Sequence, residues 1–192
     1  MLASHNTFSY AGVPWWAHLF NIWARCQNNP VKVQYERGVR HFDIRFRPNS
    51  PYIRHGIVPY RITVEAALSW LNKYAVQYPN EPIYIRFLIE YNFKPRHKYE
   101  IISQAVQKLN RWRELYPNIK GADCYMKYNM EVINTNWPST NIELHGDYVH
   151  FPTIKHFPWI PRIYARRNNF RIIQENADII KSKTKAMAID FV

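Results

Sequence analysis

The chain has 192 residues, 47% of them apolar, which is enough for one buried core and gives no reason to expect a second domain. Its 26 Lys and Arg against 14 Asp and Glu leave a formal charge of +12, a surface that attracts polyanions without choosing between nucleic acid and an anionic bilayer. No apolar run is long enough for a membrane span, no export signal is visible, and Cys26 and Cys124 form no CxxC pair, so the chain reads as soluble, with two reduced buried thiols.

The first expected strand is Leu2 to Asn6, cut short by Thr7, Ser9 and Gly12. The second is Val39 to Arg47, where alternation places Val39, His41, Asp43, Arg45 and Arg47 on one face and Arg40, Phe42, Ile44 and Phe46 on the other. One face carries chemistry and the other packing. Thr63 caps a helix with Val64, Ala67, Leu68, Leu71, Ala75 and Tyr78 at helical spacing, ended by Pro79 and Asn80. Ile83 to Ile89 reads as a buried strand, and Lys98 to Leu115 as a helix with Ile102, Ala105, Val106, Leu109 and Trp112 inward. Between Gly121 and Pro161 the pattern weakens, with a strand near Met130 to Asn134. A last helix, Asn169 to Lys183, is expected to bury Phe170, Ile173, Ala177 and Ile180, before a closing strand from Ala186 to Val192. Strand and helix in alternation indicate an α/β fold.

Four segments carry groups suited to acid–base chemistry: Ser4-His5-Asn6-Thr7, Phe42-Asp43-Ile44-Arg45, Arg54-His55-Gly56 and Ile189-Asp190-Phe191-Val192. Singly, each is ordinary: a strand histidine is usually structural, and an Asp and an Arg two apart usually form an ion pair. In this order they resemble the phosphatidylinositol-specific phospholipase C family. That family shows a His-Asn or His-Asp after the first barrel strand and Gly-x-Arg-x-x-Asp-x-Arg on the second, matched by Gly38-Val39-Arg40-His41-Phe42-Asp43-Ile44-Arg45. His55-Gly56, Glu81-Pro82 and Met187-Ala188-Ile189-Asp190-Phe191-Val192 continue the match.

The resemblance implies a small, trimmed TIM-type (β/α) barrel forming one domain over residues 1–192, since such barrels typically need about 250 residues. It implies His5 as general base on the inositol 2-hydroxyl, Asp190 as the partner that sets its tautomer, and His55 as the acid for the diacylglycerol oxygen. Arg45 would hold the phosphate and Asp43 would orient Arg45 or His55. Asn6, Arg86 and Tyr148 are the further candidates for substrate contact. Eukaryotic members bind calcium through carboxylates where this chain has Arg45 and Leu88, so the resemblance is to the bacterial, metal-independent kind with no cofactor. The bacterial enzymes usually carry Asp where Asn6 stands, and often a Lys near Leu88.

The expected partner is an anionic phospholipid, phosphatidylinositol or a related head group, met by a monomer at the membrane periphery. Trp15 and Trp16 could enter the interface, helped by Arg162, Arg166 and Arg167. No stripe of aromatics interleaved with Lys and Arg marks a nucleic-acid binder. A metal-dependent phosphodiesterase would need a carboxylate cluster that the motif positions lack. The alternative is a catalytically impaired barrel that binds anionic lipid or nucleic acid.

Overall fold

The structure is a computed structural model and describes residues 1–91, 93–147 and 161–190, without the side chains of 146–147, 161–164 and 166–168. Its strands are β1 (Leu2–Ser4), β2 (Val39–Phe46), β3 (Tyr52–His55), β4 (Val58–Thr63), β5 (Tyr84–Ile89), β6 (Gly121–Met126), β7 (Glu131–Val132), β8 (Glu143–Asp147) and β9 (Lys185–Ile189). The α-helices are α1 (His18–Ala24), α2 (Val31–Glu36), α3 (Val64–Gln77), α4 (Lys98–Leu115), α5 (Pro161–Glu175) and α6 (Ala177–Lys181); a turn of 3-10 helix, Trp15–Ala17, leads into α1.

Seven strands form one sheet in the order β7-β6-β5-β2-β1-β9-β8, and a separate hairpin pairs β3 with β4. Every pairing in the large sheet is parallel except that of β6 with the short β7. The sheet curls into a trimmed barrel of the expected α/β class, with β7 and β8 as its described edges.

Alternation along the strands separates two environments. Phe42, Ile44 and Phe46 of β2, Ile85, Phe87 and Ile89 of β5, and Met187 and Ile189 of β9 join the main hydrophobic core with Leu68, Leu71 and Trp112 from α3 and α4. The other face carries His41, Asp43, Arg45 and Arg86, all buried. It also carries a small alanine cluster, Ala3, Ala186 and Ala188, which keeps side-chain volume low where β1 meets β9.

The cap of α3 forms as the sequence suggests: the Thr63 hydroxyl accepts from the Ala66 N–H at 3.1 Å, and Val64, Ala67, Leu68, Leu71 and Ala75 are buried. The helix at Lys98–Leu115 has the expected bounds, with Ala105, Leu109 and Trp112 buried. The last helix is different. It divides into α5 and α6 around Asn176, and Phe170 is 75% exposed where burial was expected. Ile172 takes the inward position instead, so the apolar stripe is rotated from the one anticipated. The strand expected at Met130 to Asn134 shrinks to β7, while β6, the next strand in from that edge, fills the register beside β5. The closing strand ends at Ile189, leaving Asp190 just beyond it; Phe191 and Val192 are outside the described residues.

Candidate active site

Parallel strands present their C-terminal ends at one rim of the sheet, the side on which (β/α) barrels build their sites. His5 follows β1, Arg45 is the penultimate residue of β2, Glu90 follows β5, Lys127 follows β6 and Asp190 follows β9. His55 reaches this group from the hairpin: it ends β3, and Gly56 at φ +59° makes the turn into β4. The His5 and His55 rings meet edge to face with centroids 6.1 Å apart.

The partners of His5 decide its tautomer. Nδ1 lies 2.6 Å from Asp190 Oδ1, and a carboxylate can only accept, so Nδ1 carries the proton. Nε2 lies 2.5 Å from an Arg45 Nη2, and a guanidinium can only donate, so Nε2 presents its lone pair. His5, Arg45 and Asp190 are all buried, which strengthens each of these contacts.

Asp43 organises the cations. Its Oδ2 accepts from Arg45 Nε at 2.8 Å and from the Asn6 backbone N–H at 3.0 Å, and its Oδ1 accepts from Arg86 Nε at 3.2 Å. Burial alone would raise the Asp43 carboxyl, but Arg45 and Arg86 hold it well below the usual carboxylate range. Burial likewise opposes the charge on Arg45, and Asp43 followed by Glu90 outweighs it. Asp43 therefore supports Arg45, and Arg86 contacts Asp43 across the β2–β5 ladder, where the two residues are in register.

Asn6 lies at φ +46°, a left-handed conformation that Asn tolerates better than most residues, and so turns the chain out of β1 directly after His5. Its Nδ2 donates to the Ala24 carbonyl at 3.1 Å. The same oxygen accepts from His55 Nδ1 at 2.8 Å and from the Tyr60 hydroxyl at 2.9 Å. A carbonyl only accepts, so His55 carries its proton on Nδ1 and leaves Nε2 for a reacting group. Burial, and then Arg45, push His55 below the imidazole range to about 3.

Several participants have no signature in the sequence. The Ala24 carbonyl orients both Asn6 and His55, and Gln27 Nε2 donates to the carbonyls of His5 at 3.2 Å and Ile189 at 3.1 Å, tying the ends of β1 and β9 together. Glu90 is fully buried, with Oε1 bonded to Lys127 and to the Gly56 N–H. Backbone acceptors are invisible in a sequence. In the sequence Glu90 falls on the same strand face as Arg86, with its role left open. Tyr148 lies outside the described residues. A groove between α2 and α3, lined by Tyr35, Trp70, Tyr74 and Arg40, contains none of the expected site residues.

His5, Cys26 and Asp190 bring one potential metal-ligand atom each within 4.8 Å of one another. Cys26 is a free thiol raised well above its ordinary range, first by burial and then by Asp190, so it is a poor source of the thiolate a soft metal prefers. The three donors do not fit calcium, which takes hard oxygen ligands.

The trimmed, mostly parallel barrel thus gathers two imidazoles, a guanidinium and buried carboxylates at one rim. Residues 16–111 match the family described as phosphatidylinositol-specific phospholipase C, X domain, and the chain belongs to that family. Asp43, Arg45, His55 and Arg86 fall within the match, whereas His5 and Asp190 lie outside it. Among solved structures, the fold is similar to the phosphatidylinositol-specific phospholipase C of Listeria monocytogenes, with a TM-score of 0.72 at 17% identity, covering 99% of this chain and 87% of that one. A variant of the Staphylococcus aureus phosphatidylinositol-specific phospholipase C gives a TM-score of 0.63 at 17% identity, covering 99% and 85%. No curated protein matches the chain.

Proposed function

We propose that this chain, as a monomer of one domain, cleaves phosphatidylinositol-type lipids by metal-independent acid–base catalysis. The observation that carries the proposal is the buried sequence Asp190–His5–Arg45–Asp43 with His55 edge-on to His5. His5 Nε2 takes the proton of the inositol 2-hydroxyl while Asp190 stabilises the imidazolium that results. The 2-oxygen bonds to phosphorus, the bond to the glycerol oxygen breaks, and His55 supplies that oxygen with a proton. The products are diacylglycerol and a cyclic inositol phosphate, which water opens by the reverse proton transfers.

Arg45 has two roles. It donates to His5 Nε2; a phosphate that draws the guanidinium to its own oxygens exposes the base and gains a forked donor. The same anion offsets the repulsion that Arg45 adds to burial in holding His55 neutral, favouring the protonated acid when substrate is present. Asp43 keeps Arg45 aimed. Asn6 acts as a turn-former and anchor, and Arg86 supports the phosphate site through Asp43.

The lipid surface is met by the segment Trp15 to Trp23, where Trp15 and Leu19 are 82% and 65% exposed and Trp16, Phe20, Ile22 and Trp23 are also exposed. Amphipathic aromatics beside a strongly cationic body suit an anionic interface. Among the described residues no helix is long and apolar enough to cross a membrane, so contact of this kind would be peripheral.

Vesicles of phosphatidylinositol, incubated with the protein in chelator, should release diacylglycerol and a water-soluble phosphate, and vesicles of phosphatidylcholine should release neither. A second reading, anionic-lipid binding without turnover, draws on the neutral Asn6, whose amide is bonded to Ala24. Vesicle binding with no product would favour it.

A further inference from the structure

Glu90 is completely buried just past β5, at the rim that gathers the acid–base groups. Its Oε1 accepts from Lys127 and, at 2.8 Å, from the Gly56 N–H, while Oε2 has no hydrogen-bond partner among the described residues. Burying a carboxylate is costly, and leaving one oxygen unbonded adds to that cost. A core strand ending would be more stable with an aliphatic residue there, so the charge itself is the feature to explain.

Its surroundings identify the beneficiary. Gly56 directly follows His55, so Oε1 fixes the turn that holds His55 in place. The other buried carboxylates at the rim are engaged elsewhere, Asp190 with His5 and Asp43 with Arg45 and Arg86. Asn6, which shares the Ala24 carbonyl with His55, is neutral. Beyond burial, the charged or titratable groups that act most on His55 among the described residues are Arg45 from β2, Glu90 from the end of β5 and His5 from the end of β1, with Lys127 after β6 balancing Glu90.

We infer that Glu90 is the positioning residue of the acid: it fixes the His55–Gly56 turn and stabilises the His55 imidazolium that protonates the leaving oxygen, with Lys127 limiting how much of its charge His55 feels. The inference rests on the acid–base reading proposed above. In the step concerned, the P–O electron pair goes to the glycerol oxygen, the proton passes to it from His55 Nε2, and His55 is left neutral. Burial, then Arg45 and His5, disfavour the protonated form, and Glu90 opposes them.

The test compares two substrates, phosphatidylinositol and a nitrophenyl ester of inositol phosphate, whose leaving group needs no proton. Glu90→Gln keeps an oxygen for the Gly56 N–H and removes the charge. Its kcat on phosphatidylinositol should fall roughly 10²-fold, the size of an acid–base contribution, with the alkaline limb of the kcat–pH profile moved to lower pH. On the nitrophenyl ester the loss should stay within about threefold, because that leaving group takes little benefit from the acid. Lys127→Met should move the alkaline limb the opposite way, to higher pH, and it carries the test alone if Glu90→Gln does not fold. Equal losses on both substrates, or a limb that stays in place in both variants, would overturn the inference while leaving an active parent enzyme. A parent that cleaves neither substrate would overturn the acid–base reading and this inference together.

Discussion

Arg45 is gripped from two sides, by Asp43 through Nε and by His5 through an Nη2, and both contacts depend on the planar fork of a guanidinium. A lysine at this position would keep the charge and lose the fork. Arg45→Lys should therefore reduce kcat/KM on phosphatidylinositol by about 10²-fold or more, the scale of one lost charge-stabilising donor; activity within threefold of the parent would show that the guanidinium does not meet the phosphate. Asp190→Asn leaves a donor or an acceptor to face His5 Nδ1 and removes the charge that stabilises the imidazolium, so kcat should fall by about 10² to 10⁴. That measurement has particular value because Asp190, like His5, lies outside the family match. At this scale, much of the site was legible: strand alternation put Asp43 and Arg45 on one face, and the structure bonds them to each other. The convergence of Asn6, His55 and Tyr60 on the Ala24 carbonyl was not legible, because any residue could supply that oxygen.

Among the elements, those with a strong period and a clear stop were readable, and those held by tertiary partners were not. The α3 helix has a capping threonine and a terminating proline, and α4 has an unbroken apolar stripe. By contrast, β6 reads Gly-Ala-Asp-Cys-Tyr-Met, a poor strand sequence that its place beside β5 makes extended. The segment Trp15 to Trp23 is apolar on nearly every side, so it shows no helical period, although it forms a helical turn and α1. The β3–β4 hairpin was hidden behind the chemistry of His55-Gly56, which is also its turn. Two measurements test this level. Leu68→Ala, which truncates a fully buried side chain of α3, should cost about 2 to 5 kcal/mol in denaturant unfolding, and Thr63→Ala about 1 kcal/mol. Replacing both Trp15 and Trp23 by Ala should weaken binding to phosphatidylinositol vesicles roughly tenfold or more, about 1.4 kcal/mol for each factor of ten, while leaving the melting temperature nearly unchanged. Unaltered vesicle binding would assign the interface to another surface.

The molecule as a whole keeps several ionisable groups in buried positions, and this links its stability to pH. His41, on β2, is pushed down to about 4, first by burial and then by Arg86. Below the ordinary imidazole range the unfolded chain binds a proton at His41 that the folded protein excludes, so stability is full above roughly pH 6.5 and declines toward pH 4. A depression of that size corresponds to about 3 kcal/mol. The lowered His55 acts in the same direction, and the depressed Asp43 removes further stability as acid protonates it. Denaturant unfolding at pH 7 and pH 4.5 should show this decline, and His41→Gln should lessen it; equal declines in the two proteins would contradict the assignment. At this scale the α/β class was readable from the order of elements, and the trimmed barrel only from the family resemblance taken together with the length.

On the proposed mechanism, His5, oriented by Asp190, activates the inositol hydroxyl without a metal ion. Its most direct test is to follow phosphatidylinositol vesicles by phosphorus NMR in chelator, with the parent protein and with His5→Ala. The parent should accumulate a cyclic inositol phosphate, and the variant should be slower by about 10² or more. Cleavage by His5→Ala at the parent's rate, or a parent that forms no cyclic phosphate, would contradict it.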